Sequence, residues 1–397
     1  MIDSSKINSC VKNYRKDIIK FARDLIAIPS FSTKEGKLVS RIAKEMKKVG
    51  FEKIIIDKMG NIIGQIGQGK TKIMIDAHID TVGIGDRKAW KIDPFKGKFE
   101  KDVIYGRGAS DQKLSMVSMV YAGKLINDLN LKGGYTLWIV GSCQEEDCDG
   151  LPLLHIIKKE NLKPDYVILT EPTNLNVYRG HRGRMEMKII VKGKSCHASA
   201  PERGENAVLK MSYIVQEITD LNKKLKYDKF LGKGSVAVTY IECKTPSLNA
   251  IPDECTIYLD RRLTLGETLQ SSVKEIEKLP SVKKYNAKVE VLKYEAVSWK
   301  GLRVSQEKYF PTWVLPESHK LVKSAVKAGE IALGKKPKVG KWIFSTNGVA
   351  TAGRLKIPTV GFGPSNEIYA HSVDEQMPVE HLLKATVFYA VIPQFLV

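Results

Sequence analysis

The sequence predicts an α/β protein of two domains: a larger one around a mostly parallel mixed sheet, and a small α+β domain inserted into it. Three observations predict it. Short apolar runs bounded by turn residues alternate with stretches of helical spacing, the pattern of strands and their covering helices. One such run, from Lys72 to Ala77, ends in His78-Ile79-Asp80. The texture then changes at Arg182. Residues 184–296 read strand, helix, strand, strand, helix, strand, the split βαβ layout of a ferredoxin-like module.

A chain of 397 residues has ample length for two or three cores. Its net charge of +20 could steer anions or hold nucleic acid. The basic residues are scattered, however, with no basic tail and no run interleaved with aromatics, so no nucleic-acid partner is expected. Six cysteines are too few for a disulfide framework in a chain this long. Met1 to Ile18 is polar, and the apolar stretch near Ala385 to Val397 is too short to span a bilayer. The expectation is a cytoplasmic protein with no membrane contact.

In chain order, Val11 to Ile28 carries apolar residues at helical spacing and stops before Pro29, and Leu38 to Val49 forms a second helix ended by Gly50. Glu52 to Asp57 and Asn61 to Ile66 are strands joined by a turn at Met59-Gly60. The His78 strand follows. Side chains two apart on a strand share a face, so His78 and Asp80 emerge together at its carboxyl end, where open α/β sheets place their ligands. A core histidine before an acidic turn would look the same.

Gly106-Arg107-Gly108-Ala109-Ser110-Asp111 precedes a helical pattern from Leu114 to Leu125. Asp111 either caps that helix or offers two oxygens to two metals. The strand Tyr135 to Ser142 runs into Gln144-Glu145-Glu146-Asp147, where adjacent side chains project to opposite sides. One glutamate can bind metal while its neighbour faces substrate; a polar loop is the plainer reading. Asp165 to Leu169 ends at Glu171-Pro172. After the inserted module come a helix from Pro316 to Leu333, the glycine-bearing Asn347-Gly348, a short strand at Pro358 to Phe362, and Ala370-His371-Ser372-Val373-Asp374-Glu375 before a last helix from Val379. His155, His319 and His381 sit in helical patterns without partner spacing. Cys143 and Cys148 read as buried thiols.

His78, Asp111, Glu146, Glu171 and His371 make two imidazoles and three carboxylates, a set that suits zinc, with cobalt or manganese as alternatives. A shared carboxylate would hold two ions ~3.5–4 Å apart and acidify a water between them. Glu145 would take that water's proton and pass it to the leaving amine. Asp80 would orient His78.

His78-Ile79-Asp80, Gly106 to Asp111, Glu145-Glu146, Glu171-Pro172 and His371 to Glu375 stand in the order of the co-catalytic dinuclear zinc metallopeptidases. That family includes aminoacylase, carboxypeptidase G, acetylornithine deacetylase and succinyl-diaminopimelate desuccinylase. The resemblance runs from Ile26 to the last helix. It implies a zinc-peptidase-like catalytic domain over residues 1–183 and 297–397, and a lid and dimerisation domain over residues 184–296. It implies one ion on His78 and Glu171, the other on Glu146 and His371, Asp111 bridging, and Glu145 as general base. The family's aspartate often precedes a cis peptide, here Asp111-Gln112. Ser195 to Pro201 matches the family's lid segment, so His197 would donate to the oxyanion across a homodimer interface. Asn249, Arg262 and Asn347 would contact substrate, Arg262 through a carboxylate. Ser345-Thr346-Asn347-Gly348 departs from the family's Gly-Thr-Asp-Ala. Gly180-His181-Arg182-Gly183 and the tail most resemble a branch linked to selenium metabolism. The implied activity is hydrolysis of the amide of an N-acyl amino acid or a short peptide, as deacylase or dipeptidase; a non-catalytic metal-bound protein is the rival from another class.

Overall fold

The computed structural model describes residues 4–397. Nine strands form the larger sheet. Its centre is parallel: Thr71–His78 lies between Tyr135–Ser142 and Tyr166–Leu169, with Thr359–Gly361 parallel to the last. Its edge, Lys53–Ile56 and Ile62–Ile66, is antiparallel. The register matters most for the site. His78 pairs with Ser142 and Asp76 with Leu169, so three strands end level and release Asp80, Glu145 and Glu171 along one rim.

Both faces of the sheet are covered, which is why its central strands are apolar throughout and do not alternate. Lys113–Asp128 is the central helix. Leu114, Met116, Val117, Met119, Val120, Tyr121 and Leu125 face different ways around it, yet all are fully buried. A helix apolar on all sides needs cover on all sides. The sheet covers one side, and Val379–Val391 and Arg15–Ile26 cover the others. On the opposite face Leu151–Lys158 packs over Met74, Trp138 and Trp342. The amino-terminal helical stretch breaks at Tyr14 into Ser4–Asn13 and Arg15–Ile26.

A second, antiparallel sheet runs Ser235–Lys244, Glu254–Leu263, Gly183–Lys192, Lys288–Val291. Met185, Met187, Ile189 and Val191 point to one face, with the helices Ala207–Lys224 and Leu269–Glu277, and form a core of their own. Period two then sends Arg184 and Glu186 to the other face. Two departures from expectation concern the far end. The strand anticipated over residues 287–294 stops at Val291, and Lys293–Val297 turns away to pair with Arg303–Glu307 as a separate hairpin. Tyr309–Phe310, past the anticipated end of the module, still pairs with Gly183–Lys192. Among the described residues no helix is long and apolar enough to cross a membrane.

Candidate metal centre

His78, Asp111, Glu145, Glu146, Glu171 and His371 line one cavity of about 360 Å³ at the rim of the large sheet. Asp111 stands in the middle. Its Oδ1 lies 2.8 Å from His78 Nε2 and its Oδ2 3.2 Å from His371 Nε2. Glu146 Oε2 is 3.0 Å from His371 Nε2, while Glu171 Oε1 is 3.7 Å and Glu145 Oε2 3.9 Å from His78 Nε2. Donor atoms of His78, Asp111 and Glu146 form one tight group, and those of His78, Glu145 and Glu171 another.

The donors fit a cation. His78 Nδ1 donates to the Asp80 backbone oxygen at 3.0 Å, so in a neutral ring Nε2 carries a lone pair towards Asp111 Oδ1. Two acceptors that close need a positive charge between them. Burial pushes the Glu145 and Glu171 carboxyls well above their usual range, and Glu146 upward too, with neighbouring carboxylates adding to it. Burial opposes charge on His78, but Glu171, Asp111 and Glu145 outweigh it and raise its pKa well above the usual imidazole range. Bonds to Asp111 and Glu146 raise His371 to about 10. Burial raises Asp111 as well, yet its bonds to both histidines win and hold it low. A buried cluster of carboxylates around two imidazoles is what two divalent cations would relieve.

Each side chain is placed by the local chain. Glu375 accepts the N–H groups of Ser110 and Asp111, both at 2.9 Å, and pairs with Arg107. This is how the turn is held. No peptide bond among the described residues is cis, so the expectation for Asp111-Gln112 is corrected. Asp80 also differs from expectation. Its carboxylate stays 3.7 Å from His78 Nδ1, and accepts instead from Glu145 N at 3.1 Å, Glu146 N at 3.2 Å and Ser32 Oγ at 2.6 Å. Its carbonyl orients the histidine.

Asn347 does not reach the cavity. Its Nδ2 donates to Asp76 Oδ2 at 2.8 Å and Ser142 Oγ at 3.1 Å, and its Oδ1 accepts from Gly150 N, so its amide is consumed beneath the sheet rim. The expected substrate contact is corrected; Ser345, two residues earlier, lines the wall instead. Arg262 does line the cavity, bound to Asp260. His197 and Asn249 are exposed and share a loop cluster, joined by the His197–Ala250 bridge and Ala198 N to Asn249 O, and neither lines the cavity of its own chain. The lining residues that escaped the sequence include Arg184, directly opposite Arg262 in the small sheet, Asp149, which accepts from Arg184 at 3.0 Å, and Phe344 and Glu367. Strand pairing alone could have linked the arginines. Elsewhere Asp57, His155 and Glu160 approach one another, but both Asp57 oxygens already accept from Gly60 and Asn61. Cys143 and Cys148 are fully buried.

The mixed sheet brings His78, Glu146 and Glu171 to its rim, where the loops carrying Asp111 and His371 join them. The chain belongs to Peptidase family M20/M25/M40, whose model matches residues 74–394. The Escherichia coli K12 protein YgeY is 50% identical over 382 residues, 96% of this chain and 95% of its own length. Succinyl-diaminopimelate desuccinylase of Ehrlichia canis is 26% identical over 391 residues, covering 94% and 96%. The same fold is seen in aminopeptidase PepT of Bacillus cereus, with TM-score 0.74 at 19% identity over 96% and 98% of the two chains. The protein is a hydrolase of amide or peptide bonds.

Proposed function

We propose that the protein is a zinc-dependent amidohydrolase that cleaves the amide of an N-acyl amino acid or a short peptide. One observation carries it: Asp111 lies between His78 and His371, in the same cavity as a Glu145 oxygen, Oε1, that has no hydrogen-bond partner. His78 and Glu171 would hold one ion, Glu146 and His371 the other, with Asp111 shared. When bound, the ions supply polarisation of the scissile carbonyl and acidification of water. Glu145 is buried and lines the cavity without being needed as a ligand, which suits a base that takes a proton from water and delivers it to the leaving amine. Arg262 and Arg184 on the cavity wall favour a substrate with a free carboxylate. The desuccinylase relative also favours a deacylase.

Residues 184–296 are read as an inserted lid and dimerisation domain. The edge strand Ser235–Lys244 exposes Tyr240 and Ile241, and a homodimer through that edge would bring His197 of the partner subunit to the oxyanion. All six cysteines are free, in keeping with a reducing cytoplasm. The test is a panel of N-acyl amino acids and dipeptides, offered to metal-depleted protein restored with zinc, cobalt or manganese. Turnover restored with about two ions per chain is expected. No cleavage of any panel member by metal-replete protein would overturn the reading, and the preferred member separates deacylase from dipeptidase.

A further inference from the structure

The loop after Ser142 is held from two sides. On the inner side consecutive N–H groups go to side chains of the main body: Cys143 N to Asn61 Oδ1 at 2.8 Å, Gln144 N to Glu35 Oε1 at 3.1 Å, then Glu145 N and Glu146 N to Asp80. The outer side meets the hairpin Lys293–Val297 and Arg303–Glu307. Gln144 Nε2 donates to the Tyr294 hydroxyl at 2.8 Å, and that hydroxyl donates to Asp147 Oδ2 at 3.1 Å. Gln306 Nε2 donates to Cys148 Sγ and the Asp149 carbonyl, both at 3.2 Å. At the hairpin tip Trp299 Nε1 donates to Gly60 O at 3.2 Å and Lys300 Nζ to Asp57 O at 2.9 Å, beside the Asn61 that anchors the inner side. Gly60 has φ +110°, and a Cβ there would fall 2.0 Å from Trp299 Nε1. The tip therefore sits in a seat only glycine leaves open.

We propose that this hairpin is a strut that positions Glu145, with Tyr294 as its positioning residue. Tyr294 brackets Glu145 and Glu146 by holding the residue before them and the residue after. Gln144 needs that hold. Its φ of +61° is a left-handed conformation that is costly for a residue with a Cβ, and it persists only where surrounding contacts over-determine it. Without the phenol hydroxyl, the Gln144 side-chain amide loses its acceptor and the backbone can relax out of that region. Glu145 would then turn away from the cavity. The hairpin supplies no metal ligand, and the Glu146 carboxylate keeps its own holds on Val82 N at 3.3 Å and His371 Nε2 at 3.0 Å, so the ions should be indifferent to this change. A misplacement of about 1 Å costs on the order of 10²-fold in rate.

The inference rests on Glu145 being the base, and the experiment separates the two. Full-length, zinc-loaded Tyr294→Phe, Gln144→Ala, the double variant and Glu145→Gln are assayed on the best panel substrate, with metal content measured for each. Tyr294→Phe should lose about 10- to 100-fold in kcat, with KM little changed and both ions retained. The double variant should be no worse than the poorer single one, because both break the same bracket. A Tyr294→Phe kcat within about twofold of the parent, while Glu145→Gln is inactive, overturns the strut alone. Additive losses, or a loss of metal along with kcat, overturn it in favour of a packing role. An active Glu145→Gln overturns the base assignment and this inference with it.

Discussion

Arg107 Nη1 and Glu375 Oε2 lie 2.6 Å apart, with both side chains almost wholly removed from water. The other Glu375 oxygen holds the backbone that carries Asp111. The pair is therefore the foundation of the position from which Asp111 is proposed to bridge the ions. Glu375→Ala leaves a buried guanidinium alone, which should cost about 3–5 kcal/mol in urea unfolding. Metal affinity should fall in the same variant, and a metal titration with unchanged affinity would refute the link.

Asp80 acts on Glu145 and Glu146 through its carboxylate and on His78 through its carbonyl. Asp80→Ala keeps the carbonyl and removes the acceptor for both N–H groups. Metal affinity should weaken about 10- to 100-fold and kcat should fall further than that loss explains at saturating metal. Isothermal titration alongside kinetics at saturating zinc checks both.

Asn347→Asp places a carboxyl where the amide now sits, and it should not improve catalysis. It sets a second carboxyl against Asp76, whose own pKa burial already raises to about 6. Two buried carboxyls raised above their unfolded values stabilise the fold at low pH and lose that contribution as pH rises. The variant's deficit in unfolding free energy should therefore grow between pH 5.5 and pH 8. A deficit that shrinks would contradict the buried placement.

His181 accepts from Trp313 Nε1 at 2.8 Å and donates Nδ1–H to the Arg182 carbonyl, and burial lowers its pKa to about 4. A depressed folded-state pKa means stability present above ~6.5 and lost as pH falls towards 4. The loss can reach about 3 kcal/mol. His181→Gln removes that term, so parent and variant should converge in stability on acidification.

His197 is placed away from its own cavity. If it serves a partner subunit, mixing inactive His197→Ala and Glu145→Gln proteins should restore activity, because one site of each mixed dimer has both groups. No recovery, with subunit exchange confirmed, would refute donation in trans.

Much of this was legible in the sequence because three of the five proposed ligands follow apolar runs that had to be buried strands. His78, Glu146 and Glu171 needed only a level sheet rim to meet. What stayed hidden depends on meetings between distant segments. Nothing near Asn347 announces that Asp76 lies under it, so a motif comparison put it in the cavity. Glu35 holds Gln144 from a helix start far upstream, and Arg184 reaches Asp149 only once the small sheet is seated. The extra hairpin was missed because residues 287–294 read as a single strand, with no local sign of where one sheet ends.

The cavity gathers groups from chain segments as remote as Glu146 and His371, 225 positions apart. Such a set does not exist in the unfolded chain or in any local fragment, so metal has nothing to grip until the sheet rim is closed. Bound ions should then act on the exit from the native state and not on the way in. Chelation should speed unfolding many-fold while leaving the refolding limb of a chevron where it was.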